Sequence, residues 1–374
     1  TANSLLVVGT GDNTNGNSSV YNTEHITHGT MTISDGGRVL VGTVATGLYG
    51  HGVGAITVDG QNSLLYVAHD YYVNGGSSQN GGNGSTLVSN GGQLIVNGQI
   101  YFGSDGTDGT GRLAIQSGGI LELGDTTANG QTLSALIDQE GSGGHSEFVS
   151  SGGIIRVINS GLSTAMSIQL DGGVHSTVDT NGKAAVLSGV LSGDGGLTKA
   201  GEGTLTLSGS NTYTGATDIQ AGTLKLSGAG AISQTLSMHD TGVLDIADVA
   251  GPSVALSSLN GGGSIVLGNK TLNLLDNSGS FGNTYSGAIT GSGGLTLSGG
   301  ATLLTGQNTY TGGTDVQAGL LEVDGNVAGP VRVRSGAVLA GPGSGGHTTG
   351  YSCARPLSGR QRAAGLPGGT ATLP

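Results

Sequence analysis

Carboxylates are the residues of this sequence that could hold a metal ion. Asp105 and Asp108 lie in a short Asp-Gly-Thr-Asp-Gly run, and Asp12 and Asp125 lie elsewhere in the chain. Calcium requires several oxygen ligands at one site, whereas Asp-Gly pairs are also common in tight turns between strands. The nonapeptide repeat of calcium-binding β-rolls is not matched. We therefore interpret these residues as turns and predict neither a metal nor a cofactor.

A second candidate is the most aromatic stretch of the chain, residues 66–73. Exposed Tyr and His side chains can stack on sugars or on a partner protein, because Tyr is favoured at interfaces. The alternative is a structural coil in which some of the larger side chains point inward and some outward. The residues that would form the binding surface are Tyr66, His69, Tyr71 and Tyr72.

The sequence offers little that resembles a catalytic motif. There is no Gly-x-Ser-x-Gly elbow, and the Gly182-Lys183 pair is followed by Ala184 and not by the Ser or Thr of a phosphate-binding loop. Lys and Arg together number only 12. No carboxylate cluster stands beside them in the sequence, as cleavage of a glycan would require. We predict a non-enzymatic protein; the alternative is a β-helical glycan-active enzyme, such as a polysaccharide lyase or hydrolase.

Composition limits the elements that could position such residues. Gly accounts for 78 of 374 residues, aromatic residues for 3% and charged residues for 10%. Apolar groups are therefore carried by small side chains, which suits a thin layered core better than one bulky core. The net charge of -12 argues against nucleic acid as a partner. The chain has a single cysteine, Cys353, and no apolar run long enough for a membrane helix.

Short repeats give the fold class. Alternating apolar residues flank a Gly-Gly pair in five places, and alternation of period two indicates a strand with one buried face. Gly-Gly pairs supply the backbone conformation of a tight corner. One such coil cannot bury its inner face alone and must stack on its neighbours. We predict an all-β parallel β-helix, a solenoid; the copies are residues 31–41, 86–96, 113–123, 148–157 and 168–174.

A longer repeat occupies the C-terminal half. Residues 188–215 are matched by 286–312, and both copies continue alike, through 217–224 and 314–321. Tyr213 and Tyr310 recur at equivalent points of the two copies, and Tyr285 lies in a shorter one. A residue that recurs with a repeat is most simply a packing residue, so we interpret these tyrosines as structural.

These repeats resemble a known family. Residues 193–215 and 219–224 are similar to the passenger-associated repeat of type V autotransporters. Residues 29–37, 54–60 and 100–103 resemble the other repeat that is common in passengers of the AIDA-like adhesin group. The resemblance covers roughly residues 25–345 and implies a right-handed β-helix that is exported through an outer-membrane β-barrel. It also implies display on the surface of a Gram-negative bacterium, or release from it.

The same resemblance implies a function and a division of the chain. Passengers of this group act in adhesion, in self-association or as structural stalks. Their partners would be host or bacterial surface molecules or glycans. We expect N-terminal coils over 1–187, passenger-repeat coils over 188–346 and an irregular tail over 347–374. The tail is expected to be a frame-shifted or truncated end, and membrane contact is expected only through a translocator barrel that is absent from this chain.

Overall fold

The fold is described from a computed structural model. It describes residues 5–10, 28–48, 52–74, 82–103, 109–128, 131–138, 144–275, 281–345 and 348–349. All regular elements within these residues are β-strands. None of the described residues forms a helix long and apolar enough to cross a membrane. The chain divides into two compact units, Thr1–Gly215 and Ala216–Pro374.

The first unit is made of short strands. In chain order they are β1 (Leu5–Thr10), β2 (His28–Ile33), β3 (Arg38–Val41), β4 (Thr43–Leu48), β5 (Val53–Asp59), β6 (Leu64–Val67), β7 (Tyr71–Tyr72), β8 (Asn83–Ser89), β9 (Gln93–Val96), β10 (Ile100–Phe102), β11 (Thr110–Gln116), β12 (Ile120–Leu123), β13 (Thr126–Ala128), β14 (Gln131–Leu133), β15 (Leu136–Asp138), β16 (His145–Ser151), β17 (Ile154–Val157), β18 (Leu162–Thr164), β19 (Ile168–Leu170), β20 (His175–Asp179), β21 (Lys183–Leu187), β22 (Leu191–Ser192), β23 (Gly196–Ala200) and β24 (Gly203–Leu207).

Pairing in this unit joins each strand to one that lies a full coil away in sequence. The parallel rows are β1-β4-β7-β10-β15, β2-β5-β8-β11-β16-β19-β22, β3-β6-β9-β12-β17-β20-β23 and β18-β21-β24. Every third strand in the early coils therefore lies in the same sheet. The exception is the antiparallel hairpin of β13 and β14.

The second unit repeats this design. Its strands are β25 (Thr217–Ile219), β26 (Gly222–Gly228), β27 (Thr235–Met238), β28 (Gly242–Val249), β29 (Ser253–Leu256), β30 (Ser258–Gly261), β31 (Ser264–Val266), β32 (Thr271–Leu274), β33 (Phe281–Tyr285), β34 (Ala288–Thr290), β35 (Leu295–Leu297), β36 (Ala301–Leu304), β37 (Gln307–Asn308), β38 (Thr314–Val316), β39 (Leu320–Val323), β40 (Asn326–Val327), β41 (Val331–Val333), β42 (Val338–Ala340), β43 (Ser344–Gly345) and β44 (Thr348–Thr349). Its parallel rows are β25-β27-β30-β33-β36-β39-β42, β26-β28-β31-β34, β29-β32-β35-β38-β41-β44 and β37-β40-β43.

The core consists of stacks of apolar side chains, and each coil contributes one side chain to a stack. Val58, Val88 and Ile115 are register partners in β5, β8 and β11, and all three are fully buried. Full burial of such a side chain stabilises the fold by about 1.5–3 kcal/mol relative to exposure. Because each coil adds another layer to every stack, a long chain of small side chains can support a stable core.

The corners use the Gly-Gly pairs in two different ways. Asn90 and Gly91 both have positive φ, 50° and 83°, as a tight turn with two left-handed residues requires. Gly92 does not have positive φ, but a Cβ atom there would lie 2.3 Å from the carbonyl oxygen of Val58. The first glycine is therefore required by the turn, and the second by close approach to the preceding coil.

The predicted all-β parallel β-helix is confirmed. About 98% of parallel crossovers in proteins are right-handed, and the right-handed helix that the family resemblance implies would follow that rule. Along the sequence, the boundary between the two compact units falls between Gly215 and Ala216. The expected division of the repeats at residues 187 and 188 stays a prediction. The predicted tail over 347–374 lies outside the described residues except for 348–349, and its nature stays a prediction.

Candidate functional site

Tyr71 belongs to the core and not to a surface. Its side chain is fully buried, and its hydroxyl forms a hydrogen bond with the hydroxyl of Thr86. Burial raises the pKa of the Tyr71 phenol. Its register partners, Val44 and Ile100, are also fully buried. The prediction that Tyr71 forms part of an exposed binding surface is therefore wrong, because it occupies the inward position of β7.

Tyr72, the next residue, points outward and stacks on a tyrosine of the following coil. The ring centroids of Tyr72 and Tyr101 are 4.9 Å apart, and the ring planes differ by 11°. The two residues are register partners in β7 and β10, and both are half-buried. The centroid spacing matches the distance between neighbouring strands, about 4.8 Å. The parallel register itself therefore produces the stack.

Hydrogen bonds hold the stack in place. The hydroxyl of Tyr101 donates to Oε1 of Gln99 at 2.7 Å, and Nε2 of Gln99 donates to the carbonyl oxygen of Ser134 at 2.7 Å. The backbone N–H of Gln99 donates to Oδ1 of Asp70 at 3.0 Å. Burial, followed by the charges of Asp70 and Tyr72, raises the pKa of Tyr101. The phenol therefore stays neutral and keeps its proton for the bond to Gln99.

Tyr66 and His69 precede Tyr72 in the same coil, Tyr66 in β6 and His69 at the corner that follows it. Tyr66 points outward from β6, is half-buried and accepts a hydrogen bond from Nδ2 of Asn97 at 2.6 Å. Its register partner in the preceding coil, Leu40, is 56% exposed. His69 is exposed at the corner between β6 and β7. The structure thus pairs Tyr72 with Tyr101 and Tyr66 with Asn97 on two neighbouring sheets.

Sequence reasoning missed Tyr101. It lies 29 residues after Tyr72, in the Ile-Tyr-Phe run that begins at Ile100. Aligning Val67 of one coil with Val96 of the next, its register partner, places Tyr101 directly over Tyr72. Alignment of consecutive coils was the signal that could have found it. We call Tyr66, His69, Tyr72 and Tyr101 the aromatic surface.

The carboxylates considered as calcium ligands do not form a described site. Asp125 is 5% exposed, and its Oδ1 accepts hydrogen bonds from the backbone N–H groups of Ala135 and Ser163 at 3.0 and 2.9 Å. This carboxylate therefore joins successive coils. Asp12, Asp105 and Asp108 lie outside the described residues. Among the residues that are described, no group of three or more His, Cys, Asp or Glu side chains could hold a metal ion.

A charged ladder on the outer face of β12, β17 and β20 also escaped sequence reasoning. Arg156 lies between two carboxylates, with Nη1 3.0 Å from Oε1 of Glu122 and Nε 3.0 Å from Oδ2 of Asp179. These hydrogen bonds raise the pKa of Arg156, Asp179 contributing most. An arginine that stays protonated cannot act as an acid or base, so the ladder joins three coils and offers no evident catalytic pair.

The recurring residues of the long repeat are structural, as was predicted for its tyrosines alone. Oδ1 of Asn211 accepts a hydrogen bond from the backbone N–H of Leu191 at 2.8 Å, and Asn308 does the same for Ile289 at 3.0 Å. Each amide thus ties its own coil to the preceding one. The repeated tyrosines lie in the core: Tyr213 is 3% exposed, and Tyr285 and Tyr310 are fully buried.

Comparison with known proteins identifies these repeats. The family model of the Passenger-associated-transport-repeat matches residues 197–226 and 290–323. The chain is 34% identical over 300 residues to "Adhesin BmaC autotransporter" from Brucella suis biovar 1 (strain 1330). The alignment covers 74% of this chain and 9% of the relative, so the chain spans a small part of that protein's length. No solved structure matches the chain.

The repeat match falls on the coils that carry the Asn211 and Asn308 bridges, so the family pattern and the packing agree. The similarity to the Brucella suis protein extends well beyond those coils. A Gram-negative cell surface or outer membrane is the location that both matches support. The chain is a β-helical passenger segment of an autotransporter, with passenger-associated transport repeats in its C-terminal half.

Proposed function

We propose that this segment is adhesive and that the aromatic surface is its contact region. The observation that carries the proposal is the outward stack of Tyr72 on Tyr101. The coil of Tyr72 also carries the half-buried Tyr66 and the exposed His69. The related Brucella suis protein is named an adhesin, which supports the same class of function. The partners of this segment would be host or bacterial surface molecules or glycans, or a second copy of the chain on another cell.

The geometry of the aromatic surface suits attachment. Tyr offers a large apolar ring with a polar tip and loses little conformational entropy on binding. Here part of that entropy is already lost, because stacking and the Tyr101–Gln99 hydrogen bond orient the rings before any partner arrives. A preorganised surface binds more tightly than a mobile one of the same composition.

A non-enzymatic role agrees with these features. The ion pairs of Glu122, Arg156 and Asp179 lie on an outer sheet face, and they resemble structural ladders more than an acid-base pair that flanks a bond. No specific observation favours the glycan-active enzyme that the sequence left as an alternative. A bare stalk would need none of the oriented aromatic residues, which is why we favour adhesion.

The test replaces the stacked rings on cells that display the full chain. Tyr72→Ala combined with Tyr101→Ala should reduce attachment to host cells, or cell-to-cell clumping, roughly tenfold, the loss expected when aromatic contacts of about 1.4 kcal/mol are removed. Tyr72→Phe should retain most attachment, because the stack remains.

Val186→Ala is the matched control, since Val186 is 36% exposed in β21 of the same unit and should be neutral. Circular dichroism of the purified variants checks that the fold is intact. Attachment that is undiminished in the folded double variant would show that the aromatic surface is not the contact region.

A further inference from the structure

A groove crosses the outer face of the second unit, on the sheet that contains β32, β35, β38 and β41. Its volume is about 270 Å³. Leu272, Leu295, Thr314 and Val331 are successive register partners in this sheet. The residues before them are therefore side by side on the outer face, one in each of four coils: Thr271, Gly294, Gly313 and Pro330.

The groove exists because the two middle residues of this row are glycines. A Cβ atom at Gly294 would lie 2.8 Å from the carbonyl oxygen of Gly313, and one at Gly313 would lie 2.9 Å from that of Pro330. The floor is therefore bare backbone, and Thr271 and Pro330 form the two ends. Three strand spacings separate these ends, about 14 Å, which gives room for a sugar ring to lie flat.

One wall of the groove carries charge. Asp315 and Arg332 are register partners in β38 and β41 and follow Thr296 of β35 in the same outward row. Arg334 binds Asp315 through Nε–Oδ1 at 3.0 Å and Nη2–Oδ2 at 2.5 Å. Gln317 donates to Oδ2 at 3.1 Å. These bonds fix the carboxylate, and the bond to Arg334 contributes most to holding the pKa of Asp315 below its usual range.

Arg332 is left as an available cation. It is exposed, and it forms no ion pair with any carboxylate that the structure describes. The nearby charge of Asp315 is already shared with Arg334. Two guanidinium groups next to one carboxylate give this wall an excess of positive charge, although the whole chain carries a net charge of -12.

We infer that this groove binds an acidic saccharide, a sugar ring that carries a carboxylate. The planar fork of Arg332 suits a bidentate contact with a carboxylate. Asp315 and the hydroxyls of Thr271 and Thr296 can bond the hydroxyls of the ring, which lies on the glycine floor. The inference rests on the proposed adhesive function only in its choice of an extracellular ligand, and the groove is separate from the aromatic surface.

Calorimetric titration of the purified full chain tests this inference. The probe is a tetrasaccharide of alternating glucuronate and N-acetylglucosamine, and its carboxyl-reduced form is the neutral counterpart. Acetate is titrated as well, to separate a saccharide site from a site for any small anion. We expect saturable binding of the acidic tetrasaccharide, and no saturable binding of its carboxyl-reduced form or of acetate.

Arg332→Gln should weaken this binding roughly tenfold or more, because it removes the charged hydrogen bonds to the carboxylate of the sugar. Arg332→Lys should recover part of the loss. Arg38→Gln, which removes an exposed arginine of the first unit, is the matched control and should leave binding unchanged.

Several results would overturn the inference: no saturable binding, equal binding of the neutral tetrasaccharide or of acetate, or equal loss in Arg332→Gln and Arg38→Gln. The adhesive proposal fails separately, through unchanged attachment of the Tyr72 and Tyr101 double variant. The two failures are therefore distinguishable.

Discussion

At the scale of the residue, Lys199 occupies an inward position of the first passenger repeat. It is fully buried, and its register partner Val178 lies in the core. Nζ donates to the carbonyl oxygens of Ala200 and Gly201 at 2.9 and 2.6 Å. Burial lowers the pKa of Lys199 to about 8, against the attraction of Asp179 and Glu202. The corresponding residue of the second repeat is Leu297, also fully buried.

The lowered pKa of Lys199 predicts that the free energy of unfolding depends on pH. Between pH 8 and the ordinary lysine value of 10.5, the unfolded chain holds the proton and the folded chain does not. The stability of the wild-type protein should therefore rise through this window, by on the order of 3 kcal/mol at about 1.4 kcal/mol per pKa unit. Below pH 8 both states are protonated and the full cost of the buried charge remains.

Lys199→Leu should abolish that rise and stabilise the protein below pH 8. Urea denaturation at several pH values measures both effects, and the difference between variant and wild type removes the contribution of other titrating groups. A wild-type stability that falls between pH 8 and 10.5 relative to the variant would contradict this account of Lys199.

At the scale of the element, the strands pack so closely that some positions admit only glycine. Gly54, Gly84 and Gly111 are register partners in β5, β8 and β11. A Cβ atom at Gly84 would lie 1.5 Å from the carbonyl oxygen of Val73. Because that atom belongs to backbone, it cannot move aside without breaking the stacking of the coils.

Gly84→Ala should therefore destabilise the protein by more than about 4 kcal/mol or prevent folding, the range of severe packing defects. Gly251→Ala is the control, because Gly251 is exposed and its nearest neighbour, the carbonyl oxygen of Ser253, is 3.7 Å from a Cβ atom. Thermal denaturation followed by circular dichroism compares the two. Equal stability of the two variants would mean that the coils are less closely packed at Gly84.

Several features of these elements could be predicted from the sequence. Apolar alternation of period two predicted the strands, because one face of such a strand is buried. The Gly-Gly pairs predicted the corners between them. The distinct role of Gly92 could not be predicted, because it depends on a carbonyl of the preceding coil. Tyr71 was wrongly placed outside, since the corner before it shifts the alternation by an amount that the sequence does not show. The contact of Tyr101 with Tyr72 could be found only from the register between consecutive coils.

At the scale of the whole molecule, the stacked coils explain how a chain with few aromatic and few charged residues can present the contact regions that we propose. Each coil contributes one residue to every outward row, so a contact region is built from residues about one coil apart in sequence. Tyr72 and Tyr101 form one such row, and Asp315 and Arg332 form another in the second unit. Sequence neighbours, by contrast, alternate between the core and the surface.

We propose that these coils themselves attach to surfaces. The most direct measurement is the attachment of non-adherent bacteria that display the full chain, compared with bacteria that carry the display anchor alone. We predict attachment or clumping well above the anchor-only level. Attachment equal to that of the anchor alone, with the chain detected on the cells by antibody and β-rich by circular dichroism after purification, would contradict the account and indicate a bare stalk.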